Sequence, residues 1–163
     1  RHYRRQRQMC IRDSFFFGLG TSGAVARDAE NKFFRFDLPV SFHVDVLTMR
    51  MLSAAAKPGD LFFMISHTGR TKAIIDATDD ARGNGAIVVG LTTPGSMLAK
   101  KSDLAIEVLV SENTEEYMAM TSRIVHLVIL DVLATGFILS KGPEFLNHME
   151  KINLSLKPTR YKQ

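Results

Sequence analysis

The chain has 163 residues, 45% of them apolar and 23% charged, with one cysteine and no tryptophan. That length and balance predict one globular domain, and one cysteine excludes an intrachain disulfide or a zinc site built on paired cysteines. The formal charge of +4 arises wholly in residues 1–14, where five of the 21 basic residues face one of the 17 acidic ones, so the basic excess says nothing about nucleic-acid binding by the body.

The first segment, RHYRRQRQMCIRDS, has no apolar periodicity, and no apolar core follows its arginines as a signal peptide requires. It resembles translated sequencing-adapter read-through, and the chain does not begin with methionine. Residues 1–14 are therefore expected to be a non-native or disordered tail, with a native N-terminal part missing before Phe15. Cys10 lies in that tail and carries no functional weight.

Phe15–Phe17 reads as a short buried strand and Ser22–Phe36 as a helix with Val25, Ala29, Phe33 and Phe36 on one face. Pro39–Phe42 is a second strand, and Asp45 is the expected N-cap of a helix through Ala56. Pro58-Gly59-Asp60 signals a turn before the apolar run Leu61–Ile65, a strand of the kind covered on both faces. A helix is expected over 71–82, ended by Gly83 and Gly85. Ala86–Leu91 is the most apolar strand, a short helix follows Thr92–Gly95, and Leu104–Val108 is the fifth strand. A long helix over about 115–139 and a last amphipathic helix over 144–156 complete the body, leaving 158–163 as a C-terminal tail. The long helix is interrupted by His126 and Asp131 and is expected to fall short of the roughly 20 uninterrupted apolar residues a bilayer needs. A reducing cytosol is the expected setting.

Alternating strands and helices predict a parallel sheet covered on both faces, with ligands bound beyond the strands' carboxyl ends. Two loops there stand out. Gly18-Leu19-Gly20-Thr21-Ser22-Gly23 follows the first strand, and Ser66-His67-Thr68-Gly69-Arg70-Thr71 follows the third. Small residues let a ligand approach the backbone, and hydroxyls with helix N-terminal amides suit phosphate. Each hydrogen bond to a charged group contributes roughly 1.5–3 kcal/mol, so a handful supports micromolar binding after association costs. The first loop also matches G-x-G-x-x-G, with Asp45 as a candidate ribose acid, but a dinucleotide site has no use for the second hydroxyl-rich loop.

The segments GLGTSGAVARDAENKFFRF, ISHTGRTKAIIDATDDARGNGAIVVGLT and SRIVHLVILDVLATGF together resemble the sugar isomerase (SIS) domain. More narrowly, they resemble the effector-binding half of RpiR-type bacterial transcription regulators, nearest the HexR-type branch of hexose-metabolism repressors. The resemblance covers about 15–157 and implies a three-layer α/β/α sandwich around five parallel strands. It implies a phosphosugar effector whose phosphate is held by Ser22, Ser66, Thr68 and Thr71, with backbone help around Gly20, Thr21, His67, Gly69 and Arg70. Thr92 is expected to line the pocket, and His67 or Arg70 to address a carboxylate. For the HexR-type branch the implied ligand is 2-keto-3-deoxy-6-phosphogluconate. No cofactor, metal or catalytic residue is expected. A sugar-phosphate isomerase of the same fold would need a base beside the carbonyl carbons, and only His67 is offered there. The resemblance also implies a helix-turn-helix domain that nothing before Phe15 can form, so DNA contact is expected only through that missing part.

The remaining polar residues have simpler readings. His43 and Asp45 fit a strand end and a helix cap better than a metal pair. His126 is expected to be a satisfied, partly buried group, and Asp131 to pair with a neighbour. Met118, Met120, Phe33, Phe34 and Phe36 read as core or interface, and Glu112, Glu115 and Glu116 as a solvated loop and helix start. The resemblance places the long helix at a subunit interface, in a homodimer or tetramer.

Overall fold

The computed structural model describes residues 11–112, 120–159 and 161. Five strands form one sheet: β1 Ser14–Gly18, β2 Val40–His43, β3 Leu61–Ile65, β4 Ile87–Thr92 and β5 Leu104–Glu107. Every pairing is parallel, in the order β2-β1-β3-β4-β5. Six helices connect and cover it: α1 Thr21–Phe33, α2 Val46–Ala54, α3 Lys72–Gly83, α4 Met97–Lys101, α5 Thr121–Lys141 and α6 Pro143–Ser155.

The strands read as apolar runs because both of their faces are covered. Side chains alternate between two cores. Phe17, Phe62, Met64 and Val88 pack under α2, α3 and α4 with Met49, Ile74 and Leu98. Phe16, Phe63, Ile65, Val89 and Leu91 pack under α1 and α5 with Val25, Ala29 and Leu130. The result is the expected three-layer α/β/α sandwich. Because β2 lies on one side of β1 and β3 on the other, α1 leaves toward one face of the sheet and α3 toward the opposite one. A crevice opens between them above the ends of β1 and β3, where open α/β sheets bind ligands.

Several boundaries differ from expectation. Residues 12–14 are not tail: the Arg12 amide donates to the Gly59 carbonyl at 2.9 Å, the Leu61 amide to the Asp13 carbonyl at 2.8 Å, and Ser14 begins β1. These bonds between strand ends extend the fold three residues upstream of the phenylalanine run. Residues 1–10 of that segment lie outside the described residues. Strand β2 starts at Val40 because Pro39 has no amide to give a ladder. The first helix closes at Phe33 into a 3-10 turn, Phe34–Phe36, stopped by Asp37 in the left-handed region (φ 57°). Helix α5 is described from Thr121, so the expected first turn with Glu115, Glu116 and Met118 lies outside the described residues. The chain continues past α6 as a turn over Lys157–Thr159, inside the expected tail.

Helix α5 covers one face of the sheet, with Leu130 in the core beneath it. By length and composition α5 could cross a bilayer. His126 lies on the face that packs on the domain, and Asp131, with its side chain 65% exposed, lies at the margin of that face. Leu130 and Ala134 are buried and Asp131 pairs with Lys32 at 3.1 Å. Its other face is apolar and open: Ile124, Val128 and Val132 are each more than half exposed.

Candidate functional site

The crevice above β1 and β3 holds a cavity of about 180 Å³. Leu19, Thr21 and Ser22 line it from the first loop; Ile65, Ser66, His67, Thr68, Thr71 and Ile74 line it from the second. The two serines thus share one hollow. The first loop turns tightly enough that a Cβ on Gly18 would meet the Ser22 carbonyl oxygen at 2.3 Å. A second, larger hollow of about 590 Å³ lies at the opposite, amino ends of the strands, walled by residues such as Phe16, Phe63, Ile106 and Phe137. It has volume but almost no hydrogen-bonding groups, so the smaller cavity is the candidate for a charged ligand.

The second loop is shaped by its own hydroxyls and one glycine. Gly69 adopts φ +58°, and a Cβ there would lie 2.3 Å from Ser96 Oγ and 2.4 Å from Thr92 Oγ1. Its amide donates to Ser66 Oγ at 3.2 Å, and Ser66 Oγ lies 3.3 Å from Thr71 Oγ1. From beneath, the Thr93 amide (3.0 Å) and the Thr92 hydroxyl (3.3 Å) donate to the His67 carbonyl, and the Leu98 amide donates to the Gly69 carbonyl at 3.0 Å. The loop is therefore tied to the β4–α4 segment. This corrects the expectation for Thr92: its hydroxyl is fully buried under the loop, engaged with His67 and with Ser96 Oγ at 3.0 Å, and is not in the cavity wall. Gly69 faces the same support, and Gly20 and Arg70 are exposed, so none of these three is among the lining residues.

The electrostatics come from helix ends. Helices α1 and α3 begin at the cavity, neither has a side-chain cap, and neither has an acid in its first turn. Their amino ends carry partial positive charge that no residue of either first turn neutralises. Thr71 occupies the cap position of α3, yet its hydroxyl is turned to Ser66. By contrast Asp45 caps α2, accepting from the Thr48 amide at 2.8 Å, and His43 Nε2 lies 3.0 Å from Ser41 Oγ.

Two residues behind the cavity escaped sequence reasoning. Glu112 lies in the loop after β5, as expected, but it is also a helix cap. Its carboxylate accepts from the amides of Met120 (2.5 Å), Thr121 (2.8 Å) and Ser122 (3.2 Å), so it caps α5 from eight or more positions upstream. The Ser122 hydroxyl and these amides hold its pKa down at about 2. His126 is neither partly buried nor satisfied: it is 1% exposed and its Nε2 has no partner among the described residues. Burial first, and then the neighbouring His67, push its pKa down to about 4. No local signal marks either residue, because both acquire their roles from a chain reversal between β5 and α5.

The sequence profile of the SIS domain matches residues 10–136. The chain is 53% identical over 150 residues to the HTH-type transcriptional regulator HexR of Pseudomonas aeruginosa, covering 92% of this chain and 53% of that protein. It is 46% identical over 146 residues to the HTH-type transcriptional regulator HexR of Escherichia coli, covering 90% and 50%. It thus spans about half the length of these curated relatives. Among solved structures, the Vibrio vulnificus NanR protein complexed with ManNAc-6P superposes with a TM-score of 0.83 at 24% identity, covering 94% of this chain and 58% of that one.

Proposed function

The chain belongs to the SIS domain family, and from that premise we propose that it is the phosphosugar-sensing part of an RpiR-type, HexR-like regulator of carbohydrate metabolism. The observation that supports this reading is the single cavity shared by Ser22 and Ser66 between two uncapped helix ends. In it the hydroxyls of Ser22, Ser66, Thr68 and Thr71 and the backbone around Thr21, His67 and Gly69 hold a phosphate dianion. The rest of a phosphorylated sugar acid, 2-keto-3-deoxy-6-phosphogluconate, extends toward His67, which addresses its carboxylate. The reading is of a sensor rather than an isomerase because the curated relatives at 53% and 46% identity are transcriptional regulators; His67 is the one imidazole or carboxylate among the described lining residues.

The sensor works by population shift. Effector binding orders the Ser66–Thr71 loop and changes how subunits meet. Two copies joined through the open face of α5, at Ile124, Val128 and Val132, provide that relation in a cytoplasmic dimer or tetramer. DNA contact belongs to the part of the regulator that this chain does not span. A thermal-shift screen with phosphosugars, followed by calorimetry and an aldose–ketose turnover assay, tests the reading. At a hundred times Kd the effector should stabilise the protein by about 2.7 kcal/mol. Stabilisation by no phosphosugar, or multiple turnover of an aldose phosphate, overturns it.

A further inference from the structure

Two imidazoles meet behind the cavity with complementary defects. His67 lines the cavity, but its Nδ1 is buried and without a partner among the described residues. His126, on the first turns of α5, is 1% exposed with its Nε2 equally orphaned. The ring centres are 6.1 Å apart with their planes at 57°, a separation that one bridging water or a turn of one ring can close into a hydrogen bond. Leaving a buried nitrogen unpaired costs stability, and one bond shared between the two rings would relieve both costs. The other titratable group beside His126, Glu112, is not available, since its carboxylate is spent on the amides that start α5.

We propose that His126 is a positioning residue for His67: its Nε2–H donates to His67 Nδ1, directly or through one water, and so fixes the proton of His67 on Nε2, toward the cavity. The sense follows from the ligand's charge. A dianion between two positive helix ends needs donors around it, and a bare ring nitrogen at the wall would repel its oxygens. With Nδ1 occupied from behind, His67 can present only Nε2–H. The ligand half of this argument rests on the phosphosugar reading; the pairing of the two rings does not.

The test is long-range 15N–1H spectroscopy of the histidine side chains in the full chain without ligand, together with calorimetry using 2-keto-3-deoxy-6-phosphogluconate and inorganic phosphate as probes. The wild-type spectrum should show His67 as the Nε2–H tautomer with a hydrogen-bonded Nδ1. His126→Phe keeps a ring in the space and should leave His67 as a tautomer mixture, weakening the phosphosugar about three- to tenfold and inorganic phosphate less. His126→Gln, which restores a donor, should recover both. A wild-type His67 protonated mainly on Nδ1, or a tautomer unmoved in His126→Phe, overturns the proposal. If the tautomer moves but neither probe binds, the pairing stands and the sensor reading falls.

Discussion

Of the six helix starts in the described residues, that of α6 has no side-chain cap but carries Glu144 in its first turn; the other five fall into two groups. Helices α2, α4 and α5 are closed by residues of the chain itself: Asp45, Ser96 and Glu112 accept from their first amides. Helices α1 and α3 are left open, with Gly20 and Thr71 at the cap positions and no acid in the first turn, and both open on the same cavity. Capping residues are among the cheapest sources of helix stability, and Thr71 is of a type that caps well. A fold that closes some starts and leaves two open side by side, ringed with hydroxyls, gives up stability where an anion can supply it. The difference teaches where to look for an anion site: not at any helix start, but where the chain withholds its own oxygens.

The severest break is Gly69→Ala. A methyl group there collides with Thr92 and Ser96, and its φ disfavours any side chain. The loop must leave its support, so phosphosugar binding should become undetectable by calorimetry, with stability lower by about 1–3 kcal/mol. Binding within a few-fold of wild type would show that the loop's shape is not what the ligand reads. Next in size is Thr71→Asp, which turns an open start into a closed one. The aspartate should cap α3 and raise the melting temperature, while placing a negative charge in the cavity and lowering affinity about a hundredfold or more. Gain of stability with loss of binding is the signature to seek; loss or gain of both removes the distinction between the two groups.

A smaller pair of effects separates the groups directly. Ser22→Ala should weaken the phosphosugar roughly tenfold with little change in melting, since one charged hydrogen bond is lost and nothing is buried unpaired. Asp45→Ala should lower the melting temperature by a few degrees and leave affinity unchanged, because neither Asp45 nor Thr48 is among the residues that line the cavity. Equal changes of affinity in both variants would deny Ser22 its place in the site.

What could be read from the sequence was what is local. The runs Leu61–Ile65 and Ile87–Thr92 declare buried strands because every side chain in them must leave water. The two loops declare themselves because their hydroxyls and glycines are contiguous. Thr92 was misplaced for the opposite reason: its position at a strand end is local, but whether its hydroxyl faces a ligand or the underside of a neighbouring loop depends on Gly69, twenty-three residues earlier. His126 and Glu112 were opaque for the same reason. The burial of one and the capping by the other are set by how α5 folds back against α1 and the second loop, and no spacing along the chain encodes that return.

Glu112 yields the subtlest expected effect and the one most particular to the closed group. Its carboxyl is held at about 2, against an ordinary value of 4.5, by bonds that exist only when α5 is formed. A folded-state pKa below the unfolded one means the folded protein gains from the ionised form. That contribution is fully present above about 4.5 and is lost as the pH falls from there through about 2. The difference in urea stability between wild type and Glu112→Gln should therefore be largest at neutral pH and shrink to nothing in strong acid. Protection of the Thr121 and Ser122 amides, relative to their intrinsic exchange rates, should fall in the variant at pH 7 and in both proteins at pH 2. A difference that stays constant across that range would mean the glutamate acts by packing rather than as a charged cap. In that case the start of α5, the helix that carries His126 behind the cavity and the open apolar face, would not be closed by charge at all.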